Sequence, residues 1–208
     1  NISNIGGAPL DYSVAVHSPA TSSLAGYFSP RFSARGQTTM RWIDIEVEAN
    51  KVHSLIGILH SRIVIELPFP LQYFGNSFSH MCLASTGVVL LGQSIDMPCF
   101  SWYASAPWYA SAPYYNQTIP SPSLPNSMIA VWWTDLYCRD GCAIYAGVDP
   151  ETGAYVVTWK DSAYSWSPST MLVTVQCQLW GDGRVGIVAA DYPSALSGWR
   201  VPKLGVED

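Results

Sequence analysis

The chain has 208 residues, enough for one β-rich domain with a full hydrophobic core. Charged residues make up only 12% of it and aromatic residues 13%, so its surface is unusually neutral, as is typical of extracellular proteins that contact other proteins or glycans. A net charge of −5 with scattered basic residues argues against a nucleic-acid partner. No apolar stretch is long enough to span a bilayer, which excludes a membrane span.

Alternation of apolar and polar residues with a period of two dominates the chain, and helical periodicity is nearly absent. It predicts an all-β fold, an antiparallel β-sandwich. The first strand is predicted at three alternating residues, Tyr12, Val14 and Val16. A Ser-, Pro- and Gly-rich stretch, residues 18–37, separates this strand from the rest of the chain and allows it to pair far from its sequence neighbours. We therefore expect an N-terminal extension strand and connector over residues 1–37 and a sandwich domain over 38–208.

The segment Trp42–Glu48 alternates strictly. Its apolar residues are Ile43, Ile45 and Val47, and its acidic residues are Asp44, Glu46 and Glu48. The pattern predicts a strand with one face in water.

Two hairpins are predicted in the C-terminal half. The turn Asp149–Gly153 joins the strands 143–148 and 154–160, because Pro150 presets φ for a type I turn and Gly153 takes the left-handed position. The turn Gly181–Gly183 joins 173–180 to 184–190. The second hairpin predicts an inward row of Val173, Val175, Cys177 and Leu179, and an outward row of Thr174, Gln176 and Gln178.

A long insertion with a tandem Trp-Tyr-Ala-Ser-Ala-Pro repeat is expected as irregular loop over about 98–127. Its candidate contact residues are Trp102, Tyr103, Trp108, Tyr109, Tyr114 and Tyr115. Aromatic faces can stack on sugar rings or anchor a protein interface. They can equally cover the domain's own core.

Five cysteines allow two disulfides and one unpaired thiol. An Asp-Gly turn between Cys138 and Cys142 favours a bridge between them, and Cys82 with Cys99 is the expected second pair. A Cys82–Cys177 bridge across the sandwich is a rival. Cys177 is otherwise a small buried residue or, less favoured, an intermolecular bridge.

Two sequons, at Asn1 and Asn116, are candidate glycosylation sites. The chain begins with Asn rather than Met, which is expected of a processed form or of an excerpt from a longer protein. Both features are compatible with secretion.

Four segments, in order, are similar to motifs of one known family. The first signature segment, Leu67–Gly75, is similar to PFPFxFYG, and the second signature segment, Ile129–Leu136, to IAPFWDDL. Val156–Asp161 is similar to VVTWKD, and Val173–Val185 to FQVxLYxDGRI. Together these segments, over about residues 66–191, resemble nidogen-like extracellular domains. The resemblance implies an extracellular adhesive or matrix role without catalysis.

Thr86 stands where these domains usually have Asn, and Thr134 replaces an acidic residue beside Asp135, so a cation site built on paired acids is not expected there. Asp135, Asp140 and Asp149 could meet around a Ca²⁺ ion, which takes oxygen ligands from loops, but turn formation explains Asp140 and Asp149 without a metal. No metal-ligand spacing, nucleophile elbow or reactive-cysteine pattern occurs, so we expect no catalytic residue, metal or cofactor.

The sequence thus predicts a non-catalytic extracellular protein, a self-assembling subunit of a filament, sheath or matrix. Strand addition by Tyr12, Val14 and Val16 and aromatic contacts would hold it to copies of itself or to other extracellular proteins. The alternatives are a lectin-like glycan-binding module that uses the aromatic loop and, third, a hydrolase of unknown type.

Overall fold

The computed structural model describes residues 12–16, 40–58, 61–96, 99, 127–134, 136–139, 141–164, 171–191 and 203–207. Eleven strands lie within these ranges: β1 Tyr12–Val16, β2 Arg62–Tyr73, β3 Asn76–Ala84, β4 Val88–Gly92, β5 Met128–Trp133, β6 Leu136–Tyr137, β7 Ala143–Val148, β8 Tyr155–Tyr164, β9 Leu172–Leu179, β10 Val185–Asp191 and β11 Lys203–Glu207. Two short 3₁₀ helices, Glu48–Asn50 and His53–Leu55, precede β2.

The strands form two sheets. Sheet A has the order β1-β10-β9-β8-β6, with β7 also paired to β8, and sheet B has the order β11-β5-β4-β3-β2. All described pairings are antiparallel except that of β1 with β10. Side chains from both sheets form one buried cluster, so the predicted all-β sandwich is confirmed.

The first signature segment forms the end of edge strand β2 and its turn into β3. The register shifts between Glu66 and Leu71, where Pro68 and Pro70 cannot donate to a ladder. Phe74 and Gly75 make the two-residue turn with φ of 45° and 81°. Burial of the Phe74 ring, edge-on to Tyr73 at 4.8 Å, offsets the unfavourable backbone angle.

The two signature segments meet in space. The Tyr73 hydroxyl donates to the Met128 carbonyl at 3.0 Å, just before the second segment begins. The amides of Val131 and Trp132 both donate to the Gly87 carbonyl at 3.0 Å. Gly87 has φ of 77°, and a Cβ there would lie 2.5 Å from the Trp132 carbonyl oxygen, so only glycine fits. The first segment is therefore bonded to the start of β5, and the second segment to the turn between β3 and β4.

Both predicted hairpins are present. Asp149 accepts hydrogen bonds from the Thr152 amide and hydroxyl, and these bonds hold the pKa of its carboxyl below the usual 3.8. Gly153 and Gly183 have φ of 70° and 91°, as the turns require. The inward row predicted for β9 is confirmed, since its four members, Val173, Val175, Cys177 and Leu179, are fully buried.

Tryptophans tie the two sheets together across the core. Trp159 in β8 of sheet A donates its indole N–H to the Ala84 carbonyl in β3 of sheet B at 3.0 Å. Trp132 in β5 donates in the opposite direction, to the Tyr164 hydroxyl in β8 at 3.0 Å. Both indoles are at most 1% exposed. Each buried indole N–H thus has an oxygen of the opposite sheet as its hydrogen-bond acceptor.

The strand predicted at Trp42–Glu48 is wrong. Residues 40–46 have no regular secondary structure, and Val47, predicted on the apolar face, is 56% exposed. Ile43 and Ile45 are buried as the alternation predicts, but against the outer face of sheet A. The segment has no strand neighbour, and a side chain of sheet A binds its backbone instead.

Candidate strand-addition site

Strand β1 lies at one edge of sheet A, parallel to β10. Tyr12, Val14 and Val16 take the register positions of Val185, Ile187 and Ala189. Those three partners are core residues, at most 3% exposed. The alternation predicted for the N-terminal strand therefore matches the core-facing row of β10, a strand about 170 residues away in sequence.

Strand β10 needs a partner on this side. Val188 is fully buried and belongs to the same strand as the core residues Val185 and Ile187, so the strand is apolar on both faces. Without β1 it would be an open, apolar sheet edge, which is a template for pairing with another chain. The β10 edge is the candidate functional site, and β1 is the strand that fills it.

A strap formed by residues 40–51 crosses the outer face of sheet A. Gln176 of β9 accepts a hydrogen bond from the Ile43 amide at 3.1 Å and donates to the Ile43 carbonyl at 2.8 Å. Gln178 donates to the Arg41 carbonyl at 2.8 Å. The two side-chain amides supply hydrogen bonds to the backbone of the strap that a neighbouring strand would otherwise supply.

An ion pair, close packing and a β-bridge fix the far end of the strap over β8 and β7. Glu46 forms an ion pair with Lys160, and this contact raises the pKa of the lysine. Asn50 packs so closely on Gly147 that a Cβ there would lie 2.7 Å from the amide. Lys51 makes a β-bridge with Tyr145. The strap therefore runs from above β10 to the opposite edge of the sheet.

The connector, residues 17–39, joins Val16 of β1 to Met40 of the strap, and both of these flanking residues lie beside β10. Val16 takes the register position of Ala189. Met40 lies over Gly186, where its sulfur would be 3.0 Å from an added Cβ. Three residues of strand span about 10 Å, whereas the 23 residues of the connector reach about 75 Å when extended. The connector is much longer than this pairing within one chain requires.

Replacing Gln176 with alanine is expected to destabilise the domain by about 2–3 kcal/mol, because the buried Ile43 amide and carbonyl lose their partners. Gln178→Ala, which removes one bond to the strap, should cost about 1 kcal/mol. Urea unfolding measures both costs, and hydrogen exchange at the Ile43 amide should accelerate. A Gln176→Ala cost below about 0.5 kcal/mol would show that the strap is not held this way.

Among the cysteines, the structure contains both disulfides expected from the sequence. Cys82 and Cys99 are bridged with Cα atoms 5.4 Å apart, and Cys138 and Cys142 with Cα atoms 5.1 Å apart. The rival Cys82–Cys177 bridge is wrong. Cys177 is a free thiol, fully buried in the core, and burial raises its pKa well above the usual range. That position gives a neighbouring molecule no access to the thiol.

The remaining predicted site residues lie outside the described residues. They are the six aromatic residues of the repeat, Trp102, Tyr103, Trp108, Tyr109, Tyr114 and Tyr115, the sequons at Asn1 and Asn116, and the acids Asp135 and Asp140. Within the described ranges, no three His, Cys, Asp or Glu side chains cluster as metal ligands. No described helix has the length and apolar character of a membrane span.

Sequence reasoning missed the residues that hold the strap. Gln176 and Gln178 take the outward row predicted for β9, yet they are at most 1% exposed because the strap covers them. Two glutamines spaced by two residues on the outer face of a central strand are the signal that could have revealed the cover. Buried amides need hydrogen-bond partners, and a backbone segment supplies both donor and acceptor.

The model of one protein family, described as NIDO related, matches residues 36–199. The match confirms the resemblance drawn from four segments over about 66–191 and extends it in both directions. It includes the whole strap and leaves β1 and most of the connector outside. No curated protein and no solved structure matches the chain significantly.

Proposed function

Because the chain belongs to the NIDO-related family, we propose that it is a non-catalytic extracellular structural module that assembles with copies of itself. Strand β1 of one copy is added to the β10 edge of the next, so that copies join head to tail into a filament, sheath or matrix. The observation that carries the proposal is the parallel pairing of β1 with β10 through a connector longer than it needs. Strand β1 and residues 17–35 also lie outside the family match, as an addition to the family domain would.

The connector is long enough for exchange between copies. A compact domain of this size has a radius of gyration of about 17 Å, so a connector that extends to about 75 Å can reach a neighbour's β10 edge. Exchange leaves the β1–β10 contacts unchanged, which makes it a low-cost route to assembly. Main-chain hydrogen bonds would supply affinity, and the alternating Tyr12, Val14 and Val16 would supply register.

Concentration decides between pairing within a chain and pairing between chains. Because the connector joins β1 to its own domain, β1 has an effective concentration there of about the mM range. Exchange at μM protein therefore needs about 4 kcal/mol of additional contact between neighbouring domains. We accordingly expect assembly to increase steeply with protein concentration.

Deletion of residues 1–17 tests the proposal. The full chain should form polymers in concentrated solution, visible by electron microscopy and as high mass by light scattering. The deletion variant should form none of these polymers, because it has no β1 strand to add to a neighbour's β10 edge. A synthetic peptide of residues 1–17 should then bind the vacated β10 edge, and the same peptide with Val14→Asp should bind at least tenfold more weakly. Polymers that persist after the deletion, or a full chain that stays monomeric at every concentration, would contradict it.

A further inference from the structure

Sheet B has a second buried apolar face, on the side away from the sandwich core. Alternate residues of β3 and β4 point to this side, together with three residues of β5. They form a cluster separate from the main core and are at most 5% exposed: Ala84, Val88, Leu90, Met128, Ala130 and Trp133. A sheet face in water would carry polar residues, so this outer face is covered.

Little of the cover belongs to the described residues. Among them, Cys99 is the partly buried residue that packs on this cluster, and its disulfide to Cys82 fixes it there. Towards edge strand β2 the same face becomes polar, since Arg62 and Glu66 point outward and are exposed. The cover therefore lies over β3, β4 and β5 and stops before β2.

The two residues that flank the segment 100–126, Cys99 and Ser127, are both bonded to strands of sheet B. Residues 100–126 follow Cys99, which is bridged to β3, and lead into β5. The Ser127 carbonyl accepts the Leu91 amide at 2.9 Å, which ties the end of the segment to β4. We propose that residues 100–126 are seated across the outer face of sheet B, anchored by the Cys82–Cys99 disulfide, with their aromatic side chains filling that face.

The composition of residues 100–126 is suited to covering an apolar sheet face. The 27 residues include seven aromatic and no charged ones. Each aromatic side chain buries about 150–250 Å², so a few of them suffice for a face three strands wide. An uncharged segment also avoids the cost of burying a charge against apolar side chains. The connector, by contrast, carries Arg31 and Arg35, and residues 192–202 carry Arg200.

The rate of methionine oxidation measures solvent access to each face of sheet B separately. Met128 lies in the outer cluster and Met81 in the main core, and each is at most 1% exposed. When residues 102–124 are replaced by a Gly-Ser linker of equal length, peroxide should oxidise Met128 at least tenfold faster, with Met81 unchanged as the internal control. Unchanged protection of Met128 would overturn the proposal and assign the cover to another segment or to a second copy.

Limited digestion of the unmodified chain gives an independent readout that does not depend on how the linker variant folds. Chymotrypsin cleaves after aromatic residues, yet the seated segment should resist it. Ala130→Arg, in the centre of the outer face, should make cleavage between residues 100 and 115 at least tenfold faster. Glu66→Arg adds the same side chain on the same face at an exposed position and should change nothing. Rapid cleavage of the unmodified segment would overturn the proposal, as would an Ala130→Arg rate equal to that of the control.

Discussion

Replacement of Trp159 by alanine is expected to destabilise the domain by about 3–5 kcal/mol, a large share of the 5–15 kcal/mol that stabilises a typical domain. The indole is fully buried between the sheets, so truncation leaves a cavity in the main core. It also leaves the Ala84 carbonyl without the indole N–H that it accepts. Urea unfolding followed by circular dichroism gives the cost.

Phenylalanine variants separate the hydrogen bond from the packing. Trp159→Phe keeps an aromatic ring but removes the indole N–H that the buried Ala84 carbonyl accepts, which should cost about 1 kcal/mol. Trp132→Phe is the matched variant in the other sheet, since it removes the bond to the Tyr164 hydroxyl. A Trp159→Ala cost equal to that of Trp159→Phe would show that packing of the indole contributes little, contrary to its complete burial.

The parts of the fold that could be predicted are those whose turns are specified locally. In the first C-terminal hairpin, the Asp149 carboxylate and Gly153 determine the turn without help from distant residues. In the second, Gly183 does the same, and the apolar row ending at Leu179 sets which face is buried. Where the turn and the alternation agree, register follows from the sequence.

The strap could not be predicted, because alternation reports burial and not the identity of the hydrogen-bonding partner. Ile43 and Ile45 are buried as a strand's inward residues would be. Their segment is nevertheless paired through the glutamine side chains of β9 rather than through a backbone ladder. A period of two is common to both arrangements.

The candidate site was predictable only in part. The alternation of Tyr12, Val14 and Val16 indicated a strand, and the connector indicated that its partner is remote. Nothing in those residues names β10 as the partner, because the match depends on an edge that exists only after β8, β9 and β10 have formed a sheet. Pairing between distant segments is a property of the assembled fold.

A cysteine pair across β1 and β10 is expected to capture the exchanged strand covalently. Ala15 and Val188 share a register position, and neighbouring strands are about 4.8 Å apart, within reach of a disulfide. Chains with Ala15→Cys are mixed with chains carrying Val188→Cys, unfolded, refolded together and concentrated. Each chain then carries only one half of the pair, so a disulfide at this position can form only between two copies.

Non-reducing electrophoresis should show a two-chain product that reductant removes and that neither variant forms alone. Asp191→Cys is the control for register, because it lies on the same strand but outside the residues paired with β1, and it should give at least tenfold less product with Ala15→Cys. In the double variant Ala15→Cys/Val188→Cys, the same contact forms a ladder of linked chains if β1 is exchanged and an internally closed monomer if it is not. Closed monomers from a concentrated, polymerised sample would refute strand exchange while leaving the β1–β10 register intact.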